Sequence, residues 1–371
     1  MKGRAAVLYK PYGAFEIEVH PVPDPGDDGI VLKVEYTGIC GTDLHIYKGD
    51  ERGQQFPAVL GHEVVGRVAA LGRSRKTDSL GRALKEGDRI VPGPSVACGR
   101  CYFCRCLGQP VLCSQMGAYG SAVVGGDYFL GGFAEYMHLG LLGSPVYKVN
   151  LEPRVAVLME PLTMGIHSAE VGKVSIGDTV VVLGTGAIGL TSVLASRLAG
   201  ASSVIAVDLD NPARLKIAQL VGAGRIYRRD QFELEQIVDG VRQASVHGLG
   251  ADVVINATGM PAATVNEGLK LLRNGGTYVD VGSFSDTGAS TLNFSSEVLR
   301  RGIKLFCVPD TGDRYFAKAV AVLENGGIDF EALVSHQFGL DKISDVFRPL
   351  AHKESLDGRQ PVKVLLDPSL R

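Results

Sequence analysis

The stretch "TVVVLGTGAIGLTSVLASRLAGASSVIAVDLD", residues 179–210, decides the fold class of the chain. Its apolar pattern predicts a strand at 179–184, a helix at 187–200 and a second strand at 202–210. Strand and helix patterns go on alternating to residue 308, which is typical of a parallel, doubly wound α/β sheet. Further helices are predicted at 212–223, 262–272 and 294–301, and further strands at 251–259, 274–283 and 302–308.

A glycine-rich turn lies between the first strand and its helix and reads GxGxxG. Its glycines allow a tight turn and a close approach by a pyrophosphate, which the helix N-terminus would bind through free N–H groups. Asp208 ends the next strand, where it is predicted to bind an adenosine ribose and repel a 2′-phosphate, favouring NAD over NADP. A turn without a ligand is the alternative. The predicted contacts are Gly184, Gly186, Ala187, Ile188, Gly189, Asp208 and Thr258.

Composition excludes several classes of partner. The chain has 371 residues, enough for two domains, and its 38 basic and 40 acidic side chains give a net charge of −2. This balance gives no general attraction to nucleic acid or to an anionic membrane. The N-terminal "MKGRAAVLYKPYG" lacks the apolar core of a signal peptide, and no apolar run reaches the ~18 residues of a membrane span. We therefore expect a cytoplasmic protein.

The first 150 residues have a different pattern from the α/β region. Short β-branched runs such as "IVLKVEYTGI", "VVGRVAAL" and "GDRIVPG" alternate with turn signals, which predicts a barrel-like or sandwich β domain. The polar stretch 72–89 is predicted to be an exposed loop. Residues 309–371 are predicted to hold helices near 315–326 and 341–350 and a final strand in "PVKVLLD".

A cysteine cluster occupies "CGRCYFCRCLGQPVLC", residues 98–113. Four thiolates with no open position form a structural zinc site, and such a cluster in a reducing compartment favours metal over disulfides. A redox thiol loop and an iron–sulfur site are the alternatives, whereas a nucleic-acid-binding finger would need a basic helix after the cluster. Cys106 is left over. The predicted ligands are Cys98, Cys101, Cys104 and Cys113.

A second set of metal-binding residue types is spread over three motifs. Cys40 lies in "GICGTDLHIY", His62 and Glu63 in "LGHEVVG", and Glu160 in "LMEPLTMGIHSAE". A thiolate, an imidazole and a carboxylate, with a position left for an oxygen ligand, suit a catalytic zinc ion.

Taken in order, these motifs resemble the zinc-dependent medium-chain alcohol and polyol dehydrogenases, in particular the sorbitol, glucose and threonine dehydrogenase branch. The resemblance also rests on "GGFAEY" and covers nearly the whole chain. It implies a GroES-like β catalytic domain at 1–162, a Rossmann NAD-binding domain at 163–308, and a return segment of the catalytic domain at 309–371. It also implies a homodimer or homotetramer.

The resemblance assigns the catalytic zinc to Cys40, His62 and Glu160, and leaves open whether Glu63 or Glu160 is the direct carboxylate ligand. The other implied roles are orientation of the zinc histidine by Asp43, contact with the substrate oxygen by Thr42, the end of a proton relay at His45, and contact with the cofactor pyrophosphate by Lys363.

The implied reaction transfers a hydride from an alcohol, secondary or polyol, to NAD+ and gives a ketone or aldehyde. Zinc lowers the pKa of the substrate hydroxyl, and the proton leaves through Thr42, a ribose hydroxyl and His45. Two alternatives remain. A zinc-free quinone or enone reductase would lack both sets of metal ligands, and a non-catalytic protein would keep NAD and zinc without chemistry.

Overall fold

The computed structural model describes residues 1–51, 54–121, 123, 125–209, 211–259, 261–282, 288–310, 312–325 and 327–370. The chain divides into two compact units. The first unit contains Met1–Glu160 and Thr311–Arg371, and the second unit contains Pro161–Asp310. The domain boundaries derived from sequence fall after residues 162 and 308. No helix among the described residues is long and apolar enough to cross a membrane.

The elements are numbered along the chain. The strands are β1 (Lys2–Leu8), β2 (Phe15–Pro21), β3 (Ile30–Gly38), β4 (Glu63–Leu71), β5 (Arg89–Pro92), β6 (Ser95–Val96), β7 (Gly117–Ala118), β8 (Tyr136–Leu139), β9 (Val146–Lys148), β10 (Thr179–Leu183), β11 (Ser203–Asp208), β12 (Arg225–Arg228), β13 (Ala251–Asn256), β14 (Leu272–Asp280), β15 (Lys304–Cys307), β16 (Val334–Gly339) and β17 (Lys363–Asp367). The α-helices are α1 (Gly41–Lys48), α2 (Tyr102–Arg105), α3 (Pro153–Ala156), α4 (Met159–Val171), α5 (Ala187–Leu198), α6 (Pro212–Leu220), α7 (Leu234–Ala244), α8 (Pro261–Leu271), α9 (Asp313–Asn325) and α10 (Ile343–Ala351).

The second unit is built on a six-stranded sheet in the order β12-β11-β10-β13-β14-β15. Every pair in this sheet is parallel. The strand order reverses between β10 and β13, and ligands of such sheets bind outside the carboxyl ends of the strands at this point. The predicted parallel, doubly wound sheet is confirmed.

The first unit contains a seven-stranded sheet in the order β16-β17-β3-β4-β5-β9, with β8 also paired to β3. The tail of the chain therefore joins the N-terminal strands, because β17 pairs antiparallel with β3. This pairing brings Lys363, at the start of β17, beside the end of β3. The predicted β architecture of this part of the chain is confirmed.

Some elements differ from the sequence-based expectation. The patterns did not predict α1, β12 or α7, and the helix expected at 294–301 is a π-helix at Phe294–Leu299. α1 has little apolar periodicity. Its first turn is instead fixed by a capping box between Cys40 and Asp43, and Gly49 ends it with a φ of 79°.

The predicted loop 72–89 is mostly exposed, but its centre lies against the outer edge of β9. Ser79 N donates to Val146 O at 2.8 Å, Val146 N donates to Ser79 Oγ at 3.0 Å, and Lys148 N donates to Asp78 Oδ2 at 3.0 Å. Unpaired edge strands invite association with other chains, and this loop satisfies the free backbone groups of β9.

Replacing Asp78 with alanine is expected to lower the free energy of unfolding by about 2 kcal/mol, because it removes a fully buried carboxylate and leaves its hydrogen-bond donors without an acceptor. The Asp78 carboxylate is buried and accepts bonds from Arg82 Nε at 2.7 Å and from the backbone N–H groups of Leu80 and Arg82. Urea unfolding at pH 7 measures the loss. The exposed Asp24→Ala variant is the control, and an equal, small effect of both changes would contradict the anchoring role.

The same carboxylate predicts a pH dependence. Burial alone would raise the pKa of Asp78, but the bonds from Lys148 N and Arg82 outweigh it and lower the pKa below 3.8. A lowered folded-state pKa stabilises the fold above the unfolded-state pKa, and this stabilisation is lost as the pH falls through the folded-state value. The difference in unfolding free energy between wild type and Asp78→Ala should therefore shrink below about pH 4.

Candidate metal centres and cofactor site

Cys40 begins α1 and is held in place by the first turn of that helix. Its backbone is extended, with φ of −101° and ψ of 163°, and its N–H donates to Asp43 Oδ2 at 2.8 Å. Because the same residue is both the N-cap and the thiol donor, helix formation fixes the direction of its sulfur atom.

Asp43 connects Cys40 to the second donor, His62. Its fully buried carboxylate accepts a bond from Gly61 N at 3.1 Å, and Oδ1 lies 3.6 Å from His62 Nδ1. Metal-binding histidines usually direct their second ring nitrogen to a carboxylate, so this contact leaves Nε2 for a metal. Burial lowers the pKa of His62, but Asp43 and Cys40 outweigh it and raise the pKa well above 6.5.

The ligand atoms of Cys40, His62 and Glu63 lie within 4.8 Å of one another. Glu63 is 1 % exposed; its Oε2 is paired with the Lys363 ammonium, and its Oε1 has no hydrogen-bond donor among the described residues. A buried carboxylate oxygen without a donor, beside a thiol and an imidazole, fits a zinc ion with one position open.

Glu160 lies outside this three-residue cluster. It is in the first turn of α4 and 9 % exposed. Its charge nevertheless acts on Lys363, whose pKa it raises together with Glu63 and Cys40. The geometry therefore groups Glu63 rather than Glu160 with Cys40 and His62.

Lys363 is buried in the first unit. Its side chain is 3 % exposed, and Nζ donates to Ile39 O at 3.1 Å besides pairing with Glu63. The structure thus places its ammonium group at the metal cluster. Contact of Lys363 with the cofactor pyrophosphate stays a prediction.

Thr42 and His45 both lie on α1. Thr42 Oγ1 is 3.9 Å from Cys40 Sγ, and His45 Nδ1 is 3.2 Å from Asp50 Oδ2. Residues three apart are neighbours on a helix surface, so the two side chains follow one another from the metal cluster toward the partly exposed His45.

The four predicted cysteine ligands form the second cluster, with all sulfur atoms within 4.8 Å of one another. Cys98 N and Gln115 N donate to Cys113 Sγ at 3.3 and 3.4 Å, which stabilises a thiolate. Bonds from backbone N–H groups, chiefly that of Cys104, lower the pKa of Cys101 to about 6. Four thiols without an open position suit a structural zinc ion, and Cys106 is exposed and outside the cluster.

Two of the three glycines in the GxGxxG turn are required by the local backbone. Gly184 has a φ of +85°, which disfavours residues with a side chain. Gly186 is the N-cap of α5 and has open space where a Cβ would be, whereas a Cβ on Gly189 would lie 1.9 Å from Gly184 O. No side chain caps α5, so its first N–H groups are available to an anion.

Asp208 ends β11 beside this turn. Its Oδ2 accepts bonds from Thr185 N at 3.0 Å and from Thr185 Oγ1, and its Oδ1 accepts from Leu209 N at 2.7 Å. Thr258 lies on the other side of β10, with Cγ2 3.0 Å from the position of a Cβ on Gly184. The predicted cofactor residues of the second unit thus converge at the carboxyl end of β10.

Sequence reasoning missed two residues that shape these sites. Thr185 orients the Asp208 carboxylate, and its polar side chain inside the glycine turn was the available signal. Gly38 makes room for the metal cluster, because a Cβ there would lie 1.9 Å from Glu63 Oε2. The motif "TGIC" offers no comparable signal, since the close approach depends on strand pairing between β3 and β4.

Comparison with known proteins agrees with this geometry. Residues 26–141 match the model of the alcohol dehydrogenase GroES-like domain, and residues 187–325 match that of the zinc-binding dehydrogenases. The chain is 32 % identical over 346 residues to sorbitol dehydrogenase of Bacillus subtilis (strain 168), covering 92 % of each protein.

Two solved structures are similar over almost the whole chain. An alcohol dehydrogenase from Thermotoga maritima has a TM-score of 0.91 and 27 % identity, with all of both chains covered. A zinc-binding dehydrogenase from Sinorhizobium meliloti 1021, bound to NADP, has a TM-score of 0.85 and 28 % identity, with 99 % of this chain and 100 % of that chain covered.

Proposed function

Because the chain belongs to the medium-chain zinc-dependent alcohol dehydrogenase family, we propose that it oxidises a secondary alcohol or polyol with NAD+ as hydride acceptor. The observation that carries the proposal is the cluster of the half-buried Cys40 and His62 with the buried Glu63, in which Asp43 orients the histidine. A non-catalytic protein would have no need to keep a buried carboxylate oxygen without a hydrogen-bond donor, that of Glu63 Oε1, beside these metal-binding side chains.

The residues of the chain have distinct roles in this reaction. Zinc held by Cys40, His62 and Glu63 would supply Lewis acidity to a substrate hydroxyl. Thr42 has a hydroxyl that can accept one proton and donate another, so it would take up the substrate proton. His45, which is partly exposed and contacts Asp50, would release the proton to solvent as the end of the relay that begins at Thr42. Asp43 holds the His62 ring in place throughout.

For the cofactor we propose NAD rather than NADP. Asp208 already accepts three bonds from the turn around it, so its carboxylate is held in place where the adenosine ribose would bind. The 2′-phosphate of NADP would lie beside this carboxylate, and the two negative charges would repel each other. Because the similar dehydrogenase from Sinorhizobium meliloti 1021 is bound to NADP, activity should be measured with NAD+ and with NADP+ side by side.

The proposed substrate class, secondary alcohols and polyols, is supported by a relative and by the ligand set. Sorbitol dehydrogenase of Bacillus subtilis is similar over 92 % of this chain, and a carboxylate takes the third place in the metal cluster. The zinc-free quinone or enone reductase is disfavoured, because two metal-binding clusters are present.

An alcohol panel tests the function. Purified protein is incubated with NAD+ or NADP+ and with simple alcohols, polyols, sugars, amino alcohols and cyclic alcohols, and reduced cofactor is followed by absorbance. We expect turnover of secondary alcohols or polyols with NAD+ that a zinc chelator abolishes. Turnover that resists chelation, or reduction of quinones instead, would contradict the proposal.

We also propose a homo-oligomer, dimer or tetramer. β15 is an edge strand of the six-stranded sheet in the second unit. All four of its residues are exposed, and two of them, Leu305 and Phe306, are large and apolar. An exposed apolar edge strand of this kind favours pairing with another copy. Light scattering should give a mass of at least twice the 39.3 kDa of the chain. A mass of one chain would refute the proposal.

A further inference from the structure

We propose that Lys363 is a positioning residue of the catalytic zinc site, where its buried ammonium group competes with the metal for Glu63 and thereby limits how tightly zinc is held. The inference rests on the proposed function, since it concerns the same metal centre. It assigns to Lys363 a part in metal binding in addition to the contact predicted from the sequence.

The strand pairing gives Lys363 this place. β17 lies beside β3, so that Leu365 is opposite Gly38, while Glu63 is opposite Gly38 on the β4 side. A Cβ on Gly38 would lie 1.9 Å from Glu63 Oε2 and 2.8 Å from Lys363 Cε. The missing side chain therefore lets ammonium and carboxylate meet across the end of β3.

The ammonium group has few other partners. Among the described residues, Nζ donates to Ile39 O at 3.1 Å and forms an ion pair with one carboxylate, that of Glu63. The contacts of Nζ therefore place the Lys363 ammonium group directly beside Glu63, one of the three residues that would hold a metal.

The formal charges of the site would sum to zero with zinc bound. A thiolate at Cys40 and the carboxylates of Glu63 and Glu160 carry three negative charges, which the two of zinc and the one of Lys363 would neutralise. Lys363 and zinc are both attracted to Glu63, which brings the two positive charges close together. Because their charges have the same sign, they repel each other. Removing the ammonium should strengthen metal binding, whereas removal of a merely structural lysine should loosen the site.

The test measures zinc loss from purified protein. Wild type and the variants Lys363→Met, Lys363→Arg, Glu63→Gln and Glu63→Gln/Lys363→Met are mixed with a chromogenic chelator at pH 7.5. The slow and fast phases are assigned with Cys40→Ser, which retains only the four-cysteine zinc. We expect the rate of zinc loss from the catalytic site to be at least about tenfold lower in Lys363→Met than in wild type. The rate in Lys363→Arg should resemble that of wild type.

The double variant guards against a folding artefact. Glu63→Gln/Lys363→Met has the same formal site charge as wild type, so it should retain zinc better than Glu63→Gln alone. The matched control is Lys148→Met, which removes a lysine paired with Asp88 at 2.9 Å in the same unit and should leave zinc loss unchanged.

If the wild type holds two zinc ions, two results would overturn this inference and leave the proposed function standing. One is faster zinc loss from Lys363→Met than from wild type, and the other is faster zinc loss from the double variant than from Glu63→Gln. A wild type that holds a single zinc ion, on the four cysteines, would instead refute the proposed function and this inference with it.

Discussion

Serine in place of Cys40 is expected to lower turnover more than about 100-fold, because even residues that only orient a ligand are worth 10–100-fold. The change removes the thiolate from a cluster in which Cys40, His62 and Glu63 lie within 4.8 Å of one another. A serine hydroxyl is a poor zinc ligand at neutral pH, so the metal should be lost. The fold of α1 should survive, since serine is itself a good N-cap residue.

The measurement combines zinc content, turnover and cofactor affinity. Zinc should fall from two ions per chain to one, while the dissociation constant of NAD+ stays unchanged, because the glycine turn and Asp208 belong to the second unit. Cys106→Ser is the matched control, since Cys106 is exposed and outside both clusters, and it should keep both ions. A Cys40→Ser protein that turns over at nearly the wild-type rate would refute the catalytic assignment.

The second large effect is expected at Asp208. Its replacement by glycine should reduce the preference for NAD+ over NADP+, in kcat/KM, about 100-fold, since bonds to a charged acceptor are worth about 1.5–3 kcal/mol. The loss has two parts, which are the ribose bonds to NAD+ and the repulsion of the 2′-phosphate of NADP+. Asp208→Asn separates them, because it keeps a hydrogen-bond acceptor and removes the charge.

Steady-state kinetics with both cofactors measure this preference, and zinc content should be that of the wild type. Asp239→Gly is the control, because this carboxylate is exposed on α7 of the same unit. An unchanged preference in Asp208→Gly would show that the ribose is recognised elsewhere.

The second unit could be predicted well because its signals are local. The glycine turn, the strand before it and the helix after it are adjacent in sequence, and the structure joins them as β10, Gly184 and α5. By contrast, α1 could not be predicted from periodicity, because capping by Cys40 and Asp43 defines it. β12 is only four residues long and has no fully buried position, which leaves no pattern to read.

The metal cluster could be predicted only in part. Cys40 and His62 stand in recognisable motifs, but the choice between Glu63 and Glu160 depends on where β4 and α4 place the two carboxylates. The contact between Glu63 and Lys363 was harder still to predict from the sequence, because it depends on the pairing of β17 with β3. Such contacts between distant segments are set by tertiary structure and leave no trace in the spacing of one sequence.

The central claim, that this chain is a zinc-dependent alcohol dehydrogenase, is tested most directly by removing and restoring the metal. The protein is stripped of zinc at the Cys40 cluster, and NADH formation with the best alcohol of the panel is measured as zinc is returned. The account predicts that activity rises in proportion to occupancy of the second zinc ion per chain and reaches the original rate at two ions. Full activity with one zinc ion per chain would contradict it.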